Sequence, residues 1–339
     1  MSRRALPLAV LVTAGLLTGC AGSGTSSGVV TRAVAGTSAT VSGRVRVGTN
    51  PTAVAVGAGA VWITNNASGT VSRLNAATGE PLGSPLRTGA APTAVAVGEG
   101  GVWVVDATGR VLRLDPSTGA RVGRPIDVVD PAGVAAGAGA VWVTSRASGT
   151  VIPIDPRTGR AGRAIPVGSA PTDVAVAGGY VWVADSAAGE VTRIDPVTRR
   201  ADRTVRLARG QVLALAAGNG ALWVVKTDSE LSYPLELLRL DPRSGAAQGP
   251  ALRVPGAIPV RLAVGAGSVW LTDVGNTLPP HPVRGPGVIR VDPRRLAIVG
   301  SPVAVGGEPA GIAVGAGGVW VSSSSAGTVS RLGPIAAPR

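Results

Sequence analysis

Seven tryptophans, at positions 62, 103, 142, 182, 223, 270 and 320, recur along the chain at intervals of 39 to 50 residues. Around each of them one phrase returns. The first copy reads Pro51-Thr-Ala-Val-Ala-Val-Gly-Ala-Gly-Ala-Val-Trp62-Ile-Thr, then Gly69-Thr-Val-Ser-Arg-Leu-Asn75. The last reads Pro309-Ala-Gly-Ile-Ala-Val-Gly-Ala-Gly-Gly-Val-Trp320-Val-Ser, then Gly327-Thr-Val-Ser-Arg-Leu332. A chain that repeats its local pattern repeats its local structure, so the fold is an array of one supersecondary unit.

The unit is made of strands. Runs of Val, Ile and Leu alternate with Gly pairs or with Asp-Pro-x-Thr-Gly, and such short punctuated runs are β-prone. In the second copy the spacing predicts strands over Thr93–Val97, Val102–Asp106 and Arg110–Asp115, with a fourth near Val122–Val128. Asp115–Gly119 is a turn in which Asp caps, Pro presets φ and Gly supplies the left-handed residue; it recurs at Asp155–Gly159 and Asp241–Gly245. The 50 Gly and 27 Pro are this punctuation repeated. Four strands every 40 or so residues is the period of a propeller blade, so the expected fold is all-β, a seven-bladed β-propeller with four-stranded blades. The seventh copy stops after its third strand at Leu332, while Arg44–Gly48 matches the fourth-strand ending Ala164–Gly168. The N-terminal strand is therefore expected to complete the last blade and to leave no open edge there. Each tryptophan sits mid-strand among apolar neighbours. Burying ~150–250 Å² per ring at about 25 cal/mol per Å² contributes at most ~4–6 kcal/mol each. Regular placement at one blade position points to core packing rather than to a stacking platform for a ligand.

The N-terminus gives an address. Arg3 and Arg4 precede an apolar run from Ala5 to Leu17, followed by Leu17-Thr-Gly-Cys20. This is the layout of an export signal, and the run is shorter than the ~20 residues of a membrane span. Its end resembles a bacterial lipobox, which implies that Cys20, the chain's one cysteine, receives the lipid through its thiolate. Arg3-Arg4 also resembles a twin-arginine signal, although Pro7 stands where that pattern has an apolar residue, so the export route stays open between Sec and twin-arginine. The expected organisation is a signal peptide over 1–19, lipidated Cys20 and a Gly/Ser/Thr/Ala tether over 20–40, the propeller over 41–333, and a tail over 334–339. Two or more acyl chains hold a protein on a membrane stably. The expectation is a monomeric domain anchored to the cell membrane at Cys20 and facing outward.

The phrase Gly-x-Gly-x-Val-Trp-Val-Thr, followed by Gly-Thr-Val-x-Arg-Leu-Asp-Pro-x-Thr-Gly, resembles the streptogramin-lyase-like and YncE-like seven-bladed propellers of bacteria over about residues 41–333. The resemblance implies a fold whose repeats serve enzymes, sensors and ligand binders alike. It would further imply histidines, glutamates and a magnesium ion around the central channel. His281 is the chain's one histidine, so a two-histidine site cannot be assembled.

Two places remain for a ligand. The step from tryptophan to third strand is 8 or 9 residues in five copies but 14 and 18 in the fifth and sixth. The extra residues, Asp228–Pro234 and Gly275–Pro286, include Asp228, Glu230, Tyr233, Asn276, His281 and Arg284. Long loops on a regular scaffold carry specificity; drift in a permissive loop is the alternative. The second-strand ends, Asn65, Asp106, Ser145-Arg146, Asp185, Lys226, Asp273 and Ser323, lead to the same face. They are expected either as a polar ring for an anionic or hydroxylated small ligand or envelope protein, or as caps of the following turns. Within the repeats no EF-hand spacing and no Gly-x-Ser-x-Gly elbow occurs, so neither a metal nor another cofactor is expected. An enzymatic version would have to use His281 with Asp273 or Glu230.

The net charge of +13 is carried by 31 arginines and one lysine against 19 acids. Arg157, Arg160, Arg163, Arg199, Arg200, Arg203, Arg206 and Arg209 crowd the third and fourth copies. Guanidinium forks suit phosphate or carboxylate, so this rim is either a surface for an anionic envelope polymer or a solvated face. Nucleic acid is not expected, because no stacking aromatics interleave the patch. The expected function is a non-catalytic ligand- or protein-binding scaffold, with a divergent lyase or hydrolase as the alternative.

Overall fold

The computed structural model describes residues 29–30, 32–34, 39–89, 91–207, 210–227, 235–254, 259–275 and 285–333. Every regular element among them is a strand, and the strands form seven sheets. In the first blade Pro51–Gly57 is innermost, followed outward by Ala60–Asn65, Thr70–Asn75 and Leu86–Arg87. The innermost strands of successive blades, beginning at Pro51, Pro92, Pro131, Pro171, Val212, Pro259 and Pro309, touch one another round a ring in which the seventh meets the first. The seven-bladed propeller expected from the period is the fold observed.

Local sequence explains each blade. The first hairpin turns on Ala58 and Gly59 at φ of 51° and 74°, the paired left-handed residues that match strand twist. All positions of Ala60–Asn65 are buried, because a second strand presses on a neighbouring blade through both faces, and the same holds at Ala140–Ser145 and Ser268–Asp273. The seven indoles lie in these strands at no more than 1% exposure. Four donate Nε1 to the glycine carbonyl that ends the blade's own innermost strand, as Trp142 does to Gly137 at 2.9 Å and Trp103 to Gly98 at 3.2 Å. Guanidinium groups of the third strand cover five of the rings at 5.3–5.9 Å. The tryptophans are core.

Closure is as expected. Val41–Arg46 pairs antiparallel with Thr328–Leu332, with Val45 opposite Val329, and forms the fourth strand of blade seven. Two features differ from the sequence reading. The outer strand of blade two is confined to Ile126–Asp127, with a lone bridge from Leu114 to Arg121. Gly123 at φ 72° and Pro125, which lacks an N–H, break the intervening ladder. Secondly, part of the segment read as a free tether is strand. Val29–Val30 pairs parallel to Ala251–Leu252 on blade five, and Ala33–Val34 to Ile298–Val299 on blade six. β-branched residues meeting open outer edges supply the reason. Cys20 and residues 334–339 lie outside the described residues.

Candidate functional site

All seven innermost strands break register just after their first residue, for example between Pro51 and Ala53 and between Pro171 and Asp173. Seven bulges therefore sit at one mouth of the channel, where bulges re-aim side chains. In four blades a hydroxyl from the second strand accepts the displaced N–H: Thr64 from Ala53 at 2.9 Å, Thr144 from Gly133 at 2.7 Å, Thr272 from Arg261 at 3.0 Å, and Ser322 from Gly311 at 2.8 Å. The Thr or Ser two residues after each of these tryptophans thus has a local structural task.

The next residues along are the expected polar ring, and they are turned into their own blades. Asn65 donates to Thr70 Oγ1 at 3.0 Å and Ser72 Oγ at 2.9 Å. Asp106 accepts from the N–H of Thr108 at 2.7 Å. Ser145 Oγ donates to the Val129 carbonyl at 2.5 Å. Asp185 accepts from the backbone of Ser169, Ala170, Ala187 and Ala188, and Asp273 from Gly275 at 2.9 Å. Lys226 is buried against Glu236, Nζ to Oε2 3.0 Å, and also donates to the Thr227 carbonyl. Of the two expectations for these residues, a polar ring for a ligand or caps of the following turns, their bonds match the second, and they are buried anchors of their own blades. A second strand's tip receives both its own turn and the link from the preceding blade, and their N–H groups need acceptors. Arg146 alone of the set is exposed, and it pairs through two nitrogens with Asp130, which holds the Asp130 carboxyl below the usual range. Glu230, His281 and Arg284 lie outside the described residues.

Deeper in the channel lies a pair that the sequence reading passed over. The third position of the innermost strands is Ala53, Ala94, Gly133, Asp173, Ala214, Arg261 and Gly311. Five are small, since the backbones approach closely there: a Cβ on Gly133 would stand 3.0 Å from the Asp173 Cα. Asp173 and Arg261 break the pattern and line a cavity of about 140 Å³ shared with Thr93 and Gly311. Asp173 accepts from its neighbour Val174 and, across the blade junction, from Leu215, both at 2.9 Å. Burial pushes its carboxyl up, while Arg261 and the two N–H groups pull it back toward the anion. Aligning the seven copies at this position would have found both residues. The cavity is below the ~300 Å³ floor of small-molecule pockets. A larger one, about 560 Å³, opens on the same face beside blade two, lined by Ala107–Gly109 and Asp127–Asp130.

The arginine rim is exposed at Arg157, Arg160, Arg163, Arg199, Arg200, Arg203 and Arg206; Arg209 lies outside the described residues. Arg206 pairs with Glu190 at 2.7 Å, and beside the rim Arg193 pairs with Asp202 at 2.8 Å. Among the described residues no group of three His, Cys, Asp or Glu is placed to hold a metal ion.

No protein-family model and no curated protein sequence matches the chain. Solved structures match its fold. A streptogramin B lyase is 18% identical with a TM-score of 0.69, over 84% of this chain and 93% of its own. A catalytically inactive virginiamycin B lyase from Staphylococcus aureus, solved with quinupristin, is 19% identical with a TM-score of 0.69, over 86% and 99%. The hydrazine synthase of Kuenenia stuttgartiensis reaches a TM-score of 0.70 at 13% identity, over 83% and 95%. The chain is a seven-bladed propeller of the streptogramin-lyase-like shape, and at these identities the likeness concerns the fold.

Proposed function

We propose that this chain is a lipid-anchored, outward-facing propeller that binds a small ligand or an envelope protein on the face of its second-to-third-strand loops, without catalysis of its own. The observation that carries this reading is the fate of the polar strand ends. Asn65, Asp106, Ser145, Asp185 and Lys226 are buried residues committed to hydrogen bonds or an ion pair within the scaffold, and a group so committed is a poor general base or nucleophile. The same face offers a 560 Å³ cavity beside blade two, within the range of small-molecule sites. The long second-to-third-strand connections at 228–234 and 276–284, read from the sequence, add to this reading.

Replacing those two loops with the short turn of blade one, Asn66–Gly69, is expected to abolish saturable capture of a partner from cell-envelope extract. Undiminished capture would remove this face from consideration. Anchoring is tested separately by metabolic labelling with an acyl analogue, expected on the wild type and absent from Cys20→Ser. The likeness to lyases supports one rival reading, a divergent lyase or hydrolase using His281 with Asp273 or Glu230. Turnover of a streptogramin B that disappears in His281→Ala would establish the rival and overturn the non-catalytic reading.

A further inference from the structure

Four blade junctions are stapled by one recurring arginine of the third strand. Its guanidinium covers an aromatic ring of its own blade, while Nη1 donates to a carbonyl in the outer turn of the next blade. Arg73 reaches Ser117 at 2.6 Å, Arg239 reaches Pro293 at 3.3 Å, Arg331 reaches Ala77 at 2.6 Å, and Arg193 reaches Arg243. Between blades two and three the staple is open. Arg113 keeps its place 5.4 Å from the Trp103 ring but turns Nη2 back to the Gly100 carbonyl of its own blade at 3.2 Å. Its buried Nε has no hydrogen-bond partner.

Where the staple would cross, a cavity of about 540 Å³ opens, lined by Arg113, Val122, Arg124, Ile126, Arg157 and Thr158 among others. No carboxylate lines it. Asp115 and Asp155, the acids nearest Arg113 and Arg157 in sequence, each accept two N–H groups of their own turns, and each also feels its neighbouring arginine, while Asp127, next to Ile126, lines the separate cavity beside blade two. Arg124 and Arg157 are exposed.

We propose that this cleft binds the phosphate group of a small phosphorylated molecule or lipid headgroup, at a site separate from the loop face described above. Three guanidinium groups around one cavity repel each other until an anion enters. A dianionic phosphate offsets more of that charge than a single carboxylate, and its oxygens fit the guanidinium fork. Val122, Pro125 and Ile126 give the wall an apolar side against which the carrier of the phosphate packs. The volume is that of a small-molecule site rather than of an ion.

The test is titration calorimetry of the purified protein at fixed ionic strength. Glycerol 3-phosphate represents the soluble source, vesicles carrying phosphatidic acid the membrane source, and succinate the carboxylate comparison. Saturable binding of either phosphate source is expected, and the one that binds identifies the source. Arg124→Ala and Arg157→Ala, both exposed and without structural bonds to lose, are expected to weaken binding at least about tenfold each. Arg163→Ala removes the same charge outside the cavity and is expected to leave it unchanged. Failure of both phosphate sources to bind, succinate binding as tightly, or an equal loss in Arg163→Ala would each overturn the proposal.

Discussion

Asp173 and the turn aspartates carry the same carboxyl in opposite settings. Asp115, Asp155 and Asp241 each accept two backbone N–H groups at 2.7–3.0 Å at the surface, and these bonds hold them below their ordinary value. Their contribution to stability is present above the unfolded carboxyl pKa of about 3.9 and is lost as pH falls through the lowered values. Asp173 is raised, chiefly by burial. Its contribution is fully present below about 3.9 and is lost as pH rises through the raised value. The melting temperature of the wild type relative to Asp173→Asn is therefore expected to be more favourable at pH 4 than at pH 7. A difference that does not change with pH would show that the channel leaves this carboxyl unperturbed. Arg261→Met removes the opposing charge, so carboxyl NMR is expected to follow Asp173 titrating higher still. Lys226 and Glu236, at 4% and 6% exposure, form a buried ion pair. Lys226→Ala strands a buried carboxylate and is expected to cost about 3–5 kcal/mol in urea unfolding, most of it recovered in Lys226→Met/Glu236→Leu. A single-variant loss under about 1 kcal/mol would contradict that picture. Lys226 was readable as a strand end. Its partner was not, because it takes the cross-strand register Lys226 to Glu236 to bring them together.

At the level of elements, glycine does two different jobs that the repeat alone does not separate. Gly59 holds φ 74° in a hairpin turn, and a Cβ there would meet nothing within 4 Å. Gly311 lies where a Cβ would stand 2.7 Å from the Ala53 Cα and 2.8 Å from the Val54 nitrogen, across the junction of blades seven and one. Alanine at Gly59 is expected to cost about 1–2 kcal/mol through backbone strain, and alanine at Gly311 about 1–3 kcal/mol through overpacking. Asparagine distinguishes them, since it tolerates the left-handed region but not a crowded junction. Denaturant midpoints should recover in Gly59→Asn and fall further in Gly311→Asn; the same response at both sites would refute the distinction. Strand count, strand order and the closing strand were legible because the period of about 40 residues is enforced by the buried Trp62-type position in every blade. The outer strands were less so. They are short or interrupted, as at Gly123 and Pro125, and an edge tolerates irregularity that an inner strand does not. The candidate site was the least legible part. Asp106 or Asp185 reads equally as ligand or cap in sequence, and only the positions of neighbouring N–H groups decide which task the carboxylate performs.

For the whole molecule, the path of the N-terminal segment decides how the ring is held shut. Before becoming the outer strand of blade seven at Val41–Arg46, the chain lies along the outside of blade five at Val29–Val30 and of blade six at Ala33–Val34. Three blades therefore depend on one end of the chain. With Cys20 as the proposed anchor, nine residue steps separate it from Val29, a reach of at most about 30 Å. Any pull from the membrane is then delivered into blades five to seven rather than into a free linker. Removing residues 1–28 leaves every described strand in place, and the melting temperature is expected to stay within about 1 °C of the intact chain. Removing 1–35 also uncovers the outer edges of Ala251–Val254 and Ala297–Val299. The expected loss is a few tenths to about 1 kcal/mol, on the order of 1–3 °C in a domain of this size. Removing 1–48 takes away Val45 and Val47, which pack with Val61, Trp320 and Val329 at the last junction, and leaves Thr328–Leu332 as a bare edge. That variant is expected to lose cooperative unfolding or to self-associate through the exposed strand. The ordered series can be read by calorimetry together with light scattering. Three truncations that melt alike would mean that the seventh blade is held by its first three strands alone, and that the N-terminal strand contributes nothing to closing the ring.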